Sequence, residues 1–163
     1  MDYNSAVSAL RELARDELRL SLVNNQRINR LEVQNAFDAR TKQNEEENAR
    51  IAKRLAVLSF KTSQLSDADP EKTDKIQKYA DETAELQASQ EQENKDFATD
   101  SADLTKQLAG IDLKIADIQS GKTKVSMEAL ADCTDRLAHE VIAEIAREKA
   151  QNLAAEVTVT PVV

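Results

Sequence analysis

The residues best suited to nucleophilic catalysis are the single cysteine, Cys133, and the single histidine, His139. A cysteine nucleophile needs a base within hydrogen-bonding distance of its sulfur. Six residues along one helix amount to about 600° of rotation, so these two side chains lie on different faces. One thiol and one imidazole are also too few to form a zinc site. We therefore predict a small core residue at Cys133, an exposed His139, and neither a catalytic pair nor a metal site.

Acidic side chains are plentiful, for example at residues 45–47 and at Glu91 and Glu93. Acid–base catalysis needs two carboxyl groups at a fixed separation in a concave, partly dry site. The Asp-x-Asp-x-x-Gly pattern of a calcium loop is absent from the sequence. These acidic runs therefore indicate solvated helix faces.

A short segment, Gly121-Lys122-Thr123, resembles the end of a phosphate-binding loop. That motif requires another glycine five residues before Gly121, where this chain has Ala116. The motif should also follow a strand, whereas this segment follows a predicted helix. We predict a helix C-cap at Gly121, no cofactor and no enzymatic activity.

The charge balance narrows the classes of partner. With 22 basic and 30 acidic residues, the formal net charge is −8, and a nucleic-acid-binding protein would instead present a basic face. The longest strongly apolar run, at about residues 55–60, is far too short to span a bilayer. A single cysteine and an N-terminus without the features of a signal peptide predict a soluble, intracellular protein, or one assembled inside a cell.

The elements that would carry these residues are long helices. The chain has only two glycines and two prolines, and aromatic residues make up 3%, so the frequent turns of a sheet fold are missing. Ser66–Pro70 interrupts the helical pattern, since Asp69 and Pro70 suit the first positions of a new helix. The predicted fold is all-α, with a helical hairpin at 1–121 (helix 5–64, turn 65–70, helix 70–120), a third helix at 122–155, and an extended, β-like tail at 156–163.

The second helix contains the clearest heptad pattern. Apolar positions recur at alternating spacings of four and three residues, which is typical of a helix that packs along a coiled-coil seam. Before Phe97 the pattern is displaced by one residue. The predicted seam residues are Leu104, Leu108, Ile111, Ile115 and Ile118.

The register of the hairpin can be predicted by folding the chain about Asp69. Asn44 and Asn94 lie equally far from Asp69, as do Asn48 and Gln90. Polar residues at such positions fix register in coiled coils, so these four amides predict an antiparallel hairpin. The same folding predicts apolar neighbours in the pairs Leu31 with Leu108, Ile28 with Ile111, and Leu20 with Ile118. Whether the hairpin closes within one chain or between chains stays open.

Two further segments are predicted to form interfaces. In the third helix an apolar stripe is expected to pack on the leucine-rich start of the first helix, within the chain or across a subunit contact. In the tail, valines favour a strand that adds to the sheet edge of a neighbouring protein, and the alternative is a frayed tail. The predicted interface residues are Leu130, Leu137, Val141, Ile145, Val157 and Val159.

These features favour an acidic, non-enzymatic structural subunit of a larger assembly, present as a homo-oligomer or with neighbouring subunits, such as a component of a bacteriophage virion. The alternative is a coiled-coil adaptor or chaperone that binds client helices, for example in a secretion or export apparatus. Similar hairpins serve both purposes, and a fold does not determine a function.

Overall fold

The protein consists of three α-helices, which confirms the predicted all-α class. The computed structural model describes the backbone of residues 3–158 and the side chains of residues 4–152, and no strand occurs in that part of the chain. Helices α1, α2 and α3 span Tyr3–Ser63, Lys72–Gln119 and Met127–Thr158. The chain divides into two compact units. Unit 2 is Ile28–Asp112, and unit 1 contains the chain up to Arg27 and from Leu113 onward.

The turn between α1 and α2 is organised by Asp69. Its Oδ1 accepts a hydrogen bond from the Glu71 N–H at 2.9 Å, and its carbonyl accepts one from the Lys72 N–H at 3.1 Å. The second carboxylate oxygen accepts from Lys75 Nζ at 2.8 Å. Asp69 therefore satisfies donors that the first turn of α2 would otherwise leave free. The Lys75 ammonium and then the Glu71 N–H lower the pKa of this carboxyl.

The connection from α2 to α3 is formed by two helix caps. Gly121 has a φ of 76°, which is the left-handed conformation that favours glycine at a helix C-terminus. Its N–H donates to the Ile118 carbonyl and the Lys122 N–H to the Asp117 carbonyl, the pattern of a Schellman motif. Ser126 then caps α3 by accepting a hydrogen bond from the Ala129 N–H at 3.3 Å.

In unit 2 the packed residues of the two helices follow the heptad rhythm. On α1, Ile51 and Leu58 are each only 1% exposed. On α2, two successive spacings of four residues separate the half-buried positions around Phe97. The segment from Gln90 to Ser101 therefore advances by eleven residues, which locally relaxes the supercoil. The half-buried α2 positions that follow this spacing are Tyr79, Thr83, Leu86, Gln90, Glu93, Phe97, Ser101, Leu104, Leu108 and Ile111.

The core of unit 1 joins α1 to α3. Ala14 is fully buried and packs with Leu130 and Cys133, which are 8% and 7% exposed. Leu18, Val125 and Leu137 pack against this cluster as partly buried neighbours. An alanine at position 14 leaves room for the side chains of α3, so the two helices can approach closely here.

Two expectations need correction. Helix α3 continues to Thr158, so the predicted extended tail does not begin at residue 156, and Val157 is helical. Val159 lies outside the described residues. The three predicted apolar pairs also fail on α1, where Leu20, Ile28 and Leu31 are 57%, 57% and 61% exposed.

The apolar pairs fail because equal distance from the turn determines height along a helix but not the face on which a side chain lies. The first half-buried residues of α1 that follow Leu31 are Val33, Gln34 and Phe37, and Phe37 lies six positions after Leu31. Six residues rotate through about 600°, which places Leu31 about 120° away from the Phe37 side of the helix.

Candidate interaction surfaces

Four side-chain amides form a connected layer between the two helices of unit 2. Asn48 Nδ2 donates to Asn44 Oδ1 at 3.1 Å and to Asn94 Oδ1 at 3.0 Å. Asn48 Oδ1 accepts a hydrogen bond from Gln90 Nε2 at 3.0 Å. The structure thus brings together all four residues on which the register prediction was based. Displacing α2 along α1 would break the bonds of Asn48 to Asn94 and Gln90, so the layer favours one register over its neighbours.

A second polar cluster, centred on Arg40, lies beside this layer. The guanidinium donates from Nη1 to Glu93 at 2.6 Å and from Nε to Asp100 at 2.7 Å. Its carbon lies 5.5 Å from the centroid of the Phe97 ring. Hydrogen bonds to Glu93 and then to Asp100 raise the pKa of Arg40, whose side chain is 16% exposed. The cluster fixes α1 against two successive turns of α2.

The prediction from sequence did not identify the Arg40 cluster. The signal available was compositional, because residues 28–63 hold seven basic and five acidic side chains, whereas residues 72–112 hold five basic and ten acidic. That asymmetry favours ion pairs between the helices but does not single out Arg40. Two more such pairs are present, between Arg30 and Asp112 at 2.7 Å and between Arg54 and Glu82.

A groove without charged lining residues lies between the helices near the turn of unit 2. We call it the turn groove, and its volume is about 690 Å³. Its polar lining consists of hydroxyl and amide groups, and its exposed small side chains leave the helix backbones open to close approach. The lining residues are Leu55, Ser59, Thr62, Ser63, Ile76, Tyr79, Ala80, Thr83, Ala84 and Gln87.

Other grooves of unit 2 are lined by charged residues. One, of about 600 Å³, is lined by Glu46, Glu47, Arg50, Glu93 and Asp96 together with Gln43, Ser89 and Gln92. Within it Arg50 Nη2 and Glu47 Oε1 are 2.5 Å apart, and this contact lowers the pKa of Glu47. Carboxylates paired in this way on an open surface are held as anions, so they are poorly suited to donating a proton to a substrate.

Unit 1 leaves several large apolar side chains on its surface. In α3, Val141, Ile142 and Ile145 are 44%, 65% and 48% exposed. Leu13 and Leu20 of α1 are 58% and 57% exposed. Leu113 and Met127, in α2 and at the start of α3, reach 68% and 78%. Exposed apolar residues that recur along helix faces are typical of surfaces that contact another protein.

The predicted interface residues therefore fall into two groups. Leu130 and Leu137 contact the unit 1 core, with Ala14 and Leu18 of α1 close by. Val141 and Ile145 remain exposed. Of the predicted seam residues, Leu104, Leu108 and Ile111 are half-buried in unit 2, whereas Ile115 is half-buried and Ile118 is 5% exposed in unit 1.

Cys133 and His139 differ in environment as well as in direction. The thiol is buried and accepts a hydrogen bond from Arg136 Nη2 at 3.7 Å. Arg136 also pairs with Glu17 of α1 and with Glu140, and hydrogen bonds to Glu140 and then Cys133 raise its pKa. His139 is exposed, and its Nδ1 bonds to the Asp135 carbonyl at 2.7 Å. The side-chain geometry gives Cys133 a packing role on the α1-facing side of α3.

The part of the chain that the structure describes has no group of three or more metal-ligating side chains, and none of its helices combines the length and the apolar character of a membrane span. No family model, curated protein or solved structure matches the chain.

Proposed function

We propose that the chain is a non-enzymatic structural subunit of a larger multi-subunit assembly. The observation that carries this proposal is the distribution of apolar side chains. Among the described residues, the buried hydrophobic set is small, whereas large hydrophobic residues stay exposed on all three helices. The most exposed are Leu13, Leu20, Ile28, Leu31, Phe60, Leu113, Met127 and Ile142, at 57–78%.

The energetic consequence favours association. Fully burying one side chain of this size contributes about 1.5–3 kcal/mol. Several such residues on one contact can together offset the loss of translational and rotational freedom on association, which costs about 4–15 kcal/mol. A chain with exposed apolar residues on each helix therefore suits an environment in which neighbouring subunits cover them.

The acidic residues support a structural role over a catalytic one. Glu93 and Asp100 bind Arg40, Glu82 binds Arg54, and Asp112 binds Arg30, so these carboxylates connect one helix to the other. Such side chains contribute to orientation and register. A virion assembled inside a host cell is one class of structure that uses subunits of this kind.

The second candidate function is an adaptor or chaperone that binds client helices, for example in an export apparatus. The turn groove favours it, because small uncharged side chains allow an amphipathic helix to lie close to both α1 and α2. The two functions differ in lifetime: a structural subunit stays in fixed stoichiometry with its neighbours, whereas a client is released.

The experiment is to isolate the tagged full-length chain from its natural source under native conditions and to measure the masses of the complexes that contain it. We expect a stable complex with a fixed ratio of subunits. Ile142→Glu should remove the chain from that complex, because the introduced charge would be buried at a contact. Gln151→Glu, the same kind of change at an exposed position of α3, should be incorporated normally. A chain recovered only as a free species, or equal incorporation of both variants and of Met127→Glu, would contradict the structural proposal.

A further inference from the structure

The two glycines of the chain differ in backbone conformation. Gly121 has a positive φ of 76° at the end of α2, where glycine is favoured. Gly110 lies inside α2 with an ordinary helical backbone. Among the described residues, a β-carbon added at Gly110 would meet no atom of α1 within 4 Å. Neither the backbone conformation nor a lack of space therefore requires glycine at this position.

A glycine inside a helix weakens the helix locally. Glycine loses more backbone freedom on folding than alanine does, and it leaves the helix backbone open to water. In the interior of a helix this difference lowers the helix-forming equilibrium by about fivefold. Because α2 would accept alanine at this point, the specific effect of Gly110 is a helix that opens more easily.

The facing part of α1 is weakly packed at the same height. Arg30 Nε donates to Asp112 Oδ1 at 2.7 Å, so residues 28–32 of α1 lie opposite Gly110 in this antiparallel pair. All five of these residues are exposed, and the two large apolar ones are 57% and 61% exposed. Five successive residues point in every direction around a helix, since one turn takes 3.6 residues. No apolar side chain of residues 28–32 is therefore buried against α2.

Helix α2 is held more firmly on both sides of this point. Towards the connection with α1, Arg40 binds two successive turns of α2. Towards α3, Ile118 is only 5% exposed. Beside Gly110 itself, Leu108 and Ile111 are only half-buried. The weak helix position and the weak packing thus coincide.

From these observations we infer that α2 has a hinge at Gly110, where local opening of its hydrogen bonds lets the helix bend. The boundary between the two compact units lies directly after Asp112 of α2, and such boundaries fall where few contacts cross. The hinge is a property of the isolated chain and does not depend on the proposed function. It gives a long helical subunit one point at which it can adjust to its neighbours.

Hydrogen exchange of the isolated full-length chain, followed by mass spectrometry, measures the local opening. In the unmodified chain, the amides of residues 110–114 should exchange faster than those of the α2 segments on either side. Gly110→Ala should slow the exchange of these amides by about fivefold and leave the other segments unchanged. The matched control adds Ala98→Gly to this variant, which moves the glycine to the turn that Arg40 holds. Fast exchange at residues 110–114 should not return in the control.

Two results would overturn the hinge. If Gly110→Ala slows all amides of α2 equally, or if Ala98→Gly restores fast exchange along the whole helix, the glycine acts on unfolding of the entire chain. If exchange at residues 110–114 is unchanged by Gly110→Ala while that variant is lost from the native complex, the glycine instead makes room for another subunit.

Bending has its own test in distances between spin labels, measured by pulsed electron paramagnetic resonance on chains whose native cysteine is replaced by alanine. Labels at Ala102 and Ala116 span Gly110, and labels at Ala84 and Ala98 span a matched stretch of α2 without glycine. All four positions are exposed, and both pairs would be about 21 Å apart along a straight helix. The first pair should give the wider distribution of distances, and Gly110→Ala should narrow it to the width of the second pair. Equal widths before this substitution would overturn the hinge.

Discussion

A disulfide across the amide layer of unit 2 should form within one chain. The variant replaces Asn44 and Asn94 with cysteine and Cys133 with alanine, so that only the new pair can be oxidised. Both native amides bind the same Asn48 side chain, at 3.1 and 3.0 Å, and therefore lie on facing turns of α1 and α2. Disulfides accept Cα separations up to about 7 Å, which facing helix positions can provide.

The expected gain in stability follows from the loop that the bond closes. A loop of about 50 residues lowers the entropy of the unfolded chain enough to stabilise the fold by about 4 kcal/mol. Removing Asn44 and Asn94 also removes two hydrogen bonds to Asn48, at about 1 kcal/mol each. The oxidised variant should therefore be about 4 kcal/mol more stable than its own reduced form and about 2 kcal/mol more stable than the chain that carries Cys133→Ala alone. Urea denaturation followed by circular dichroism measures both differences.

The control is a pair that encloses a loop of the same length but lies out of register. In the register that places Asn48 beside Gln90, cysteines at Ala49 and Thr99 would be offset from each other by about ten positions. This offset corresponds to about 15 Å along the helices. This pair should not close within a chain. Non-reducing electrophoresis and mass spectrometry distinguish the products. If the first pair gives only crosslinks between chains, or if both pairs close equally well, the hairpin register deduced from the amide layer is wrong.

Three further predictions concern stability. Ile51→Ala should lower the free energy of unfolding by about 3 kcal/mol because Ile51 is 1% exposed, whereas Val57→Ala, at 44% exposed, should cost less than about 1 kcal/mol; urea denaturation compares them. The pKa of Asp69 is lowered, so the contribution of its carboxylate to the stability of the fold is complete above about pH 4. That contribution is lost as the pH falls through the lowered pKa. Asp69→Asn should therefore reduce the fall in melting temperature between neutral and strongly acidic pH, and an unchanged fall would show that the Lys75 contact contributes nothing. Leu130→Asp should destabilise unit 1 by several kcal/mol, and an unchanged melting temperature would exclude the α1–α3 packing.

The sequence was sufficient to locate the helix boundaries at the turns because local chemistry determines them. Asp69 and Ser126 accept hydrogen bonds from free N–H groups, and Gly121 adopts a backbone conformation that other residues avoid. Each of these effects operates within a few residues. The amide layer could also be predicted from the sequence, because identifying it requires only that the paired residues lie equally far from the turn.

The sequence did not allow us to predict in the same way which face of α1 each apolar residue occupies. A straight helix has 3.6 residues per turn, and a small drift in phase accumulates over many turns. Leu31 and Phe37 are both apolar and six residues apart, yet of these two only Phe37 is half-buried. To predict which of the two residues packs against α2, one must know the change in heptad phase around Phe97 on that helix. The end of α3 was also misjudged, because valine is β-prone only weakly and the helix continues through Val157.

In unit 2, the groups that specify the helix register differ from those that could contribute most to stability. Amides and the Arg40 cluster occupy the middle of its helix–helix contact, and such groups contribute little net energy while strongly favouring one register. Side chains that would contribute most, such as Phe60 and Ile28, remain exposed. Since ordering each residue costs about 1–2 kcal/mol, a hairpin whose largest fully buried side chains are Ile51 and Leu58 gains little from its own core. Under the proposed structural function, these polar groups define the register of the helices, and contact with neighbouring subunits supplies the remaining burial. A hairpin of this kind should melt at a higher temperature inside its assembly than as an isolated chain, which links its folding to its place in the complex.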